Sequence, residues 1–243
     1  MKIEKEKKSF VVSGFVIDKK YDYKNFSRND EDTGRTYNVG EKKIPSVTTI
    51  LNATQSDEKR QALKKWRERV GYQEASRITT QAATRGTEMH YILEQYLNGI
   101  GYINLSKDGA LPRMMAHTIV SNLDKFSRVY GTEVTLNYED RWAGSTDVVC
   151  EYDGKPTILD FKQSNKPKRE EWIEDYYYQI AAYSLAHKKN FGDIKQGLIC
   201  VCTKDLLFQS FIMNEQLLSE YEINWFARVD KYYKNLRTSS PKV

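Results

Sequence analysis

The chain has 243 residues, 29% of them charged and 40% hydrophobic, a balance that excludes a disordered polymer and describes a folded globular protein. At ~150 residues per domain this length makes one domain or one domain with an elaboration, and it buries ~70% of its unfolded surface, so the core needs no disulfide or structural metal. The balance of 38 basic against 33 acidic residues, net +5, hints at an anionic partner but also suits a merely solvated lysine-rich face.

No apolar run approaches the ~18 residues of a membrane span. The N-terminus, MKIEKEKKSF, has no apolar stretch behind it, and Glu4 and Glu6 argue against a transit peptide. Residues 1–44 alternate charge clusters with short apolar pieces such as FVVSGFVID and read as a hairpin or irregular arm. Pro45 to Thr49 then lead into a short helix. Two helices follow, over 57–77 and 79–98. In the second, Ala82, Ala83, Met89, Ile92, Leu93, Tyr96 and Leu97 keep helical spacing, and Gly99 and Gly101 stop it. A further helix is predicted over 110–130, ended by Gly131.

The texture then changes. TEVTLNY, WAGSTDVVCEYD and KPTILDFKQS read as three strands, the last two joined by the hairpin signal Asp153-Gly154. Residues 170–190 are helical, QGLICVCTKD and LFQSFIMN are strands, and 215–236 form a closing amphipathic helix. The order predicts a mixed α/β core with a helical N-terminal elaboration. Cys150, Cys200 and Cys202 lie in apolar strand-like runs and read as buried thiols; Cys-Val-Cys alone lacks the four ligands of a zinc site.

Two of these strands carry acids where apolar residues would be cheaper. Asp147 interrupts a run ending Val148-Val149-Cys150, and Asp160 follows Thr157-Ile158-Leu159. A buried carboxylate costs several kcal/mol unless it is paired or metal-bound. With a tight turn midway between them, the two acids fall nearly opposite each other, and Lys162 shares the strand face of Asp160 by the period of two. Two carboxylates and a lysine at one spot suit metal-assisted hydrolysis, the acids holding Mg²⁺ or Mn²⁺ and the lysine positioning or deprotonating water. Asp/Glu-x-Lys by itself means little, since it occurs eight times in the chain. Only the copy at Asp160 ends an apolar strand with a second in-strand Asp one hairpin away. The alternative for these residues is a cross-strand ion pair at a sheet edge.

Gly144-Ser145-Thr146-Asp147, Asp160-Phe161-Lys162, and Gln179 with Tyr183 resemble the PD-(D/E)XK nucleases of the RecB type, and Arg85-Gly86-Thr87-Glu88-Met89-His90 with Glu94 resembles the helical histidine motif of that group. IPSVTTIL at 44–51, EYDGKPTILDFKQSNKPK at 151–168, QIAAY at 179–183 and GLICVCTKD at 197–205 narrow the resemblance to the mitochondrial genome maintenance exonuclease and its phage and bacterial relatives. It runs from about residue 44 to about 236.

The resemblance implies a restriction-endonuclease-like core, a mixed central sheet flanked by helices, over 131–237. A helical elaboration at 44–130 completes one nuclease domain, and an arm at 1–43 lies outside the match. It implies a metal held by His90, Asp147, Asp160 and the Phe161 carbonyl, with Lys162 catalytic and Gln179 and Tyr183 bracing the site. Without it, His90 would read as an ordinary core or surface histidine, and Gln179 with Tyr183 as a polar-edged core stripe. Glu133 at a strand start is either a further metal ligand or a solvated acid. Glu94 is placed to orient His90, and Arg85 and Ser164 to meet phosphate or merely the surface. The implied activity is exonucleolytic cleavage of DNA, single strands preferred. A structure-specific endonuclease and a catalytically silent DNA-binding module are the alternatives. Three cysteines exclude the four-cysteine iron–sulfur cluster of some relatives. The missing targeting extension suggests the cytoplasm of a bacterium or of a phage-infected cell.

Overall fold

The computed structural model describes residues 15–100 and 109–239. Six strands form the central sheet: β1 (Val16–Ile17), β5 (Phe126–Tyr138), β6 (Trp142–Tyr152), β7 (Lys155–Ser164), β8 (Gln196–Thr203) and β9 (Phe208–Met213), hydrogen-bonded in that order. The β1/β5 and β7/β8 pairs are parallel and the others antiparallel, so the sheet is mixed. A second sheet joins β2 (Ser27–Glu31), β3 (Gly34–Val39) and β4 (Lys42–Pro45) as an antiparallel meander. The helices are α1 (Val47–Ala53), α2 (Asp57–Val70), α3 (Tyr72–Leu97), α4 (Ala110–Val120), α5 (Glu174–Asn190) and α6 (Glu215–Ser239).

Strand alternation decides the layering. Leu198, Cys200 and Cys202 of β8 pack with Met89, Leu93 and Leu97 of α3 and Met115 and Ile119 of α4. Ile199 and Val201, pointing the other way, pack with Ile180 of α5, Leu218 and Trp225 of α6, and Ile50 of α1. The sheet is thus covered by helices on both faces, which is why β8 is buried at every position. All three cysteines are buried free thiols.

Several local expectations match the structure. The β6–β7 turn puts both Asp153 (φ 53°) and Gly154 (φ 72°) in the left-handed region, as a two-residue hairpin requires. Met89, Leu93 and Leu97 form the buried stripe of α3. Gly99, at φ 72°, follows its end, while Gly101 lies outside the described residues.

Two boundaries differ. The break expected near residue 78 falls at Gly71, whose φ of 85° ends α2 and lets α3 start at Tyr72. The helix predicted over 110–130 stops at Val120, and residues 126–138 form β5. Phe126 and Val129 are buried by pairing with β6 and β1, a tertiary opportunity that local periodicity does not reveal. Gly131 therefore ends no helix; it sits in β5 at a register shift, where a Cβ would come within 2.6 Å of Val134 and 2.9 Å of the Tyr23 ring. The N-terminal arm contains ordered strands, and β4 itself straddles the expected division at 43/44.

Candidate active site

The β6/β7 register runs Tyr152↔Lys155 to Val148↔Leu159, so its next step sets Asp147 opposite Asp160. On the other side of β6 the register runs Thr132↔Val148 and Val134↔Thr146, which sets Glu133 opposite Asp147. Three carboxylates therefore stand side by side on three adjacent strands. The ladder opens here because Asp147 Oδ2 accepts the Phe161 N–H (2.6 Å). Glu133 takes a positive φ of 47° and accepts a hydrogen bond from Ser145 Oγ (3.1 Å).

His90 reaches this row from α3. Its Nδ1 lies 3.3 Å from Asp147 Oδ1, across 57 residues of sequence. The helix side of His90 is fixed by buried Met89 and Leu93, and the Phe161 ring stands edge-on to the imidazole at 6.3 Å. One ligand atom each from His90, Glu133 and Asp147 lie within 4.8 Å of one another. Asp160, 2% exposed, is outside that triad and makes an ion pair with Lys162. Its Oδ2 is the oxygen that faces the Lys162 ammonium. The Lys162 ammonium also lies 5.1 Å from the centre of the Tyr176 ring.

Electrostatics separate the groups. Burial and the charge of Asp147 push Asp160 up to about 6, against the pull of Lys162. Burial and Asp147 push Glu133, whose side chain reaches solvent at the rim, up to about 7. Burial would raise Asp147 too, but His90, Lys162 and the Phe161 N–H together hold it below the usual carboxylate range. Burial works against the charged forms of His90 and Lys162, yet facing carboxylates raise both: Asp147 for His90, and Asp160 with Asp147 for Lys162. One imidazole nitrogen and two carboxylate oxygens within 4.8 Å of one another make a donor set that fits a hard divalent cation such as Mg²⁺ or Mn²⁺.

These residues line one cavity of about 460 Å³. Gln179 and Tyr183 of α5 line it as well, joined by a 3.2 Å hydrogen bond from Gln179 Nε2 to the Tyr183 hydroxyl. The Tyr183 ring lies against Gly144, where a Cβ would come within 2.7 Å of it. Glu94 lines the cavity one helical turn beyond His90, without a hydrogen bond to the imidazole among the described residues. Arg85 and Ser164 stand apart from it. Arg85 donates to Gln163 (2.6 and 3.0 Å) and to Asn165, tying α3 to the end of β7. Ser164 Oγ donates to the Lys166 carbonyl (2.7 Å) and shapes the turn after β7.

Sequence reasoning missed the opposite wall. Arg28, Arg35 and Tyr37 of the small sheet line the cavity, as do Ser46 and Thr48 at the start of α1 and Tyr91 on α3. The alternation Arg28-x-Asp30 and Arg35-x-Tyr37 around a short turn was the available signal for the hairpin. Nothing local says that it faces the carboxylates.

No protein-family profile matches the chain. Mitochondrial genome maintenance exonuclease 1 of mouse is 31% identical over 214 residues, 82% of this chain and 62% of that protein. The human protein is 27% identical, covering 78% of this chain and 58% of its own length. This chain is similar in sequence to these exonucleases over most of its own length. It spans about six-tenths of their length. The same-named Xenopus tropicalis protein is 28% identical over 79% of this chain and 58% of its own. All three relatives are vertebrate, and they lend nothing to the bacterial or phage source expected from the sequence. A candidate exonuclease of Eubacterium rectale superposes at a TM-score of 0.39 with 13% identity, covering 62% of this chain and 68% of that one, too loosely to add to the sheet topology. No described helix is long and apolar enough to cross a membrane.

Proposed function

We propose that the chain is a metal-dependent DNA nuclease that shortens single strands from free ends by phosphodiester hydrolysis. The observation that carries this reading is the row Glu133, Asp147 and Asp160 on three adjacent strands, with His90 against Asp147 and Lys162 against Asp160. The exonuclease relatives support the nuclease part of this reading.

His90, Asp147 and Glu133 would hold the ion, with Asp160 next in the row. Bound there, a divalent cation would supply Lewis-acid chemistry, polarising the phosphate and making water a better nucleophile. The protein's own groups do the rest. The Phe161 N–H and His90 fix the Asp147 carboxylate from two sides, so it needs no reorganisation when a phosphate arrives. Asp160 pairs with the Lys162 ammonium and holds it at the cavity wall, beside the place of the attacked phosphate. Gln179 holds the Tyr183 hydroxyl at the cavity wall, where it can donate to a phosphate oxygen.

The walls of the cavity support a preference for single strands. α3 forms one wall through Thr87, His90 and Tyr91, and the small sheet forms another. Tyr91, 44% exposed, lines the cavity next to His90 in sequence and brings an aromatic ring to the wall that an unpaired base would pass. α2, which has no buried residue, adds Lys64, Lys65, Arg67 and Arg69 to the helical side. Digestion of end-labelled linear and circular single-stranded DNA with Mg²⁺ or Mn²⁺ tests this. Linear strands should shorten and circles resist. Circles cut as fast as linear DNA would replace attack from free ends by endonucleolytic cleavage, and no cleavage of any DNA would end the nuclease reading.

A further inference from the structure

Four side chains on one face of the β2–β3 hairpin make a compact patch. The register pairs Arg28 with Tyr37 and Asp30 with Arg35, so all four project to the same side. Arg28 Nε lies 3.0 Å from Asp30 Oδ2, and Arg35 Nε lies 2.7 Å from Asp30 Oδ1. One carboxylate thus holds two guanidiniums and leaves a net charge of +1. Among the described residues neither arginine donates a terminal N–H to any other acceptor.

The patch faces the candidate active site, because Arg28, Arg35 and Tyr37 line the same cavity as Asp147, Asp160 and Lys162. Its position is firmly set. The Arg35 N–H donates to Thr49 Oγ1 (2.8 Å), and the Arg35 carbonyl accepts from Thr49 Oγ1 (2.8 Å) and the Ser46 N–H (2.9 Å). Ser46 in turn caps α1 through the Thr49 N–H (3.0 Å). Gly34 lets the turn approach so closely that a Cβ there would lie 2.8 Å from Thr49 Cγ2. Below the arginines, buried Tyr37 and Ile44 pack on Ala143 of β6. Two forked cations are therefore held on a rigid element, facing a wall that carries the carboxylates Glu94, Glu133, Asp147 and Asp160.

We propose that Arg28 and Arg35 form a phosphate clamp for the substrate strand, gripping a backbone phosphate that neighbours the scissile one. The inference rests on reading the site as a DNA-cleaving centre. Guanidiniums grip phosphate oxygens in pairs, and a contact to the backbone alone is indifferent to base sequence. The clamp also resolves an electrostatic difficulty, since an acidic wall repels a polyanion and the opposite wall supplies the attraction. Its role is to hold the strand, so its loss should raise KM more than it lowers kcat.

The test measures binding of labelled oligothymidylate in EDTA across a salt series, for wild type and for Arg28→Gln, Arg35→Gln and the double variant. The double variant should bind about ten- to a hundred-fold more weakly. Its log–log salt slope should fall by about 0.7, the value of one phosphate on a single strand. A second arm keeps the wild-type protein and replaces one phosphate at a time by a neutral methylphosphonate. One position next to the cleaved bond should lose affinity in wild type and show no further loss in Arg35→Gln. An unchanged slope in the folded variants, or losses that simply add at every methylphosphonate position, would overturn the clamp. Failure of wild type to cut DNA with Mg²⁺ or Mn²⁺ is a separate outcome that sinks the nuclease reading, whereas normal cutting with unchanged binding in the variants sinks only the clamp.

Discussion

Gly144→Ala should damage the site without touching any ionisable group. Gly144 lies in β6 and has no positive φ, so alanine fits its backbone. The difficulty is the added methyl, whose carbon would stand 2.7 Å from Tyr183 Cε1 and 3.1 Å from the hydroxyl oxygen. Carbon atoms in contact prefer about 3.5–4.0 Å, so the ring must retreat by about an ångström. It has little room, being 3% exposed and packed in the main core. Overpacking of this kind costs about 1–3 kcal/mol, which for a chain of this size lowers the melting temperature by about 2–4 °C per kcal/mol. Displacing the hydroxyl from its bond to Gln179 misplaces a group at the cavity wall, and an ångström of misplacement costs about a hundredfold in rate. The assay pairs thermal unfolding with digestion of end-labelled single-stranded DNA, for Gly144→Ala, Tyr183→Ala and the double variant. Tyr183→Ala removes the ring that the methyl meets, so the two losses should be strongly non-additive. If Gly144→Ala melts and cuts like wild type, or if the losses add, the close approach of Tyr183 to β6 is not what positions the site.

Three further expectations concern the acids and the imidazole. Asp160→Asn keeps the shape of a nearly fully buried group while removing its charge, so cleavage should fall by at least about a hundredfold with the circular dichroism spectrum unchanged; wild-type-like cutting would remove Asp160 from the hydrolytic centre. His90→Ala should weaken divalent-ion binding, seen by calorimetry, and lower activity more at limiting than at saturating Mg²⁺ or Mn²⁺, whereas an unchanged titration would return His90 to a packing role. The pH dependence has a definite sign. Glu133 at about 7 and Asp160 at about 6 are raised, as is His90, and each must shed its proton to bind a cation. Affinity should therefore climb from pH 6 to pH 8 with release of protons, and Glu133→Gln should flatten the upper part of that climb; a pH-independent affinity would refute the assignment.

The local sequence determined those features that short-range physics controls. The two-residue turn at Asp153-Gly154 fixes the β6/β7 register, and once the register is fixed, thirteen residues of separation bring Asp147 opposite Asp160. Lys162 follows from the strand period alone. The apolar stripe of α3 was legible because Met89, Leu93 and Leu97 repeat at helical spacing. His90 was legible only through its motif, since 57 residues of intervening chain separate it from the carboxylate it meets. Tertiary structure decided the rest. Residues 126–131 are strand because β6 and β1 flank them, and no helical period could outweigh two rows of ladder bonds. Glu133 became a partner of Asp147 through that same pairing. The small sheet reached the cavity through the docking of Gly34 and Arg35 on Thr49 and Ser46, contacts 11 to 15 residues apart that no periodicity encodes. Periodicity reports which face of an element is apolar; which element that face will meet depends on how all the elements pack, and the cavity is built from such meetings.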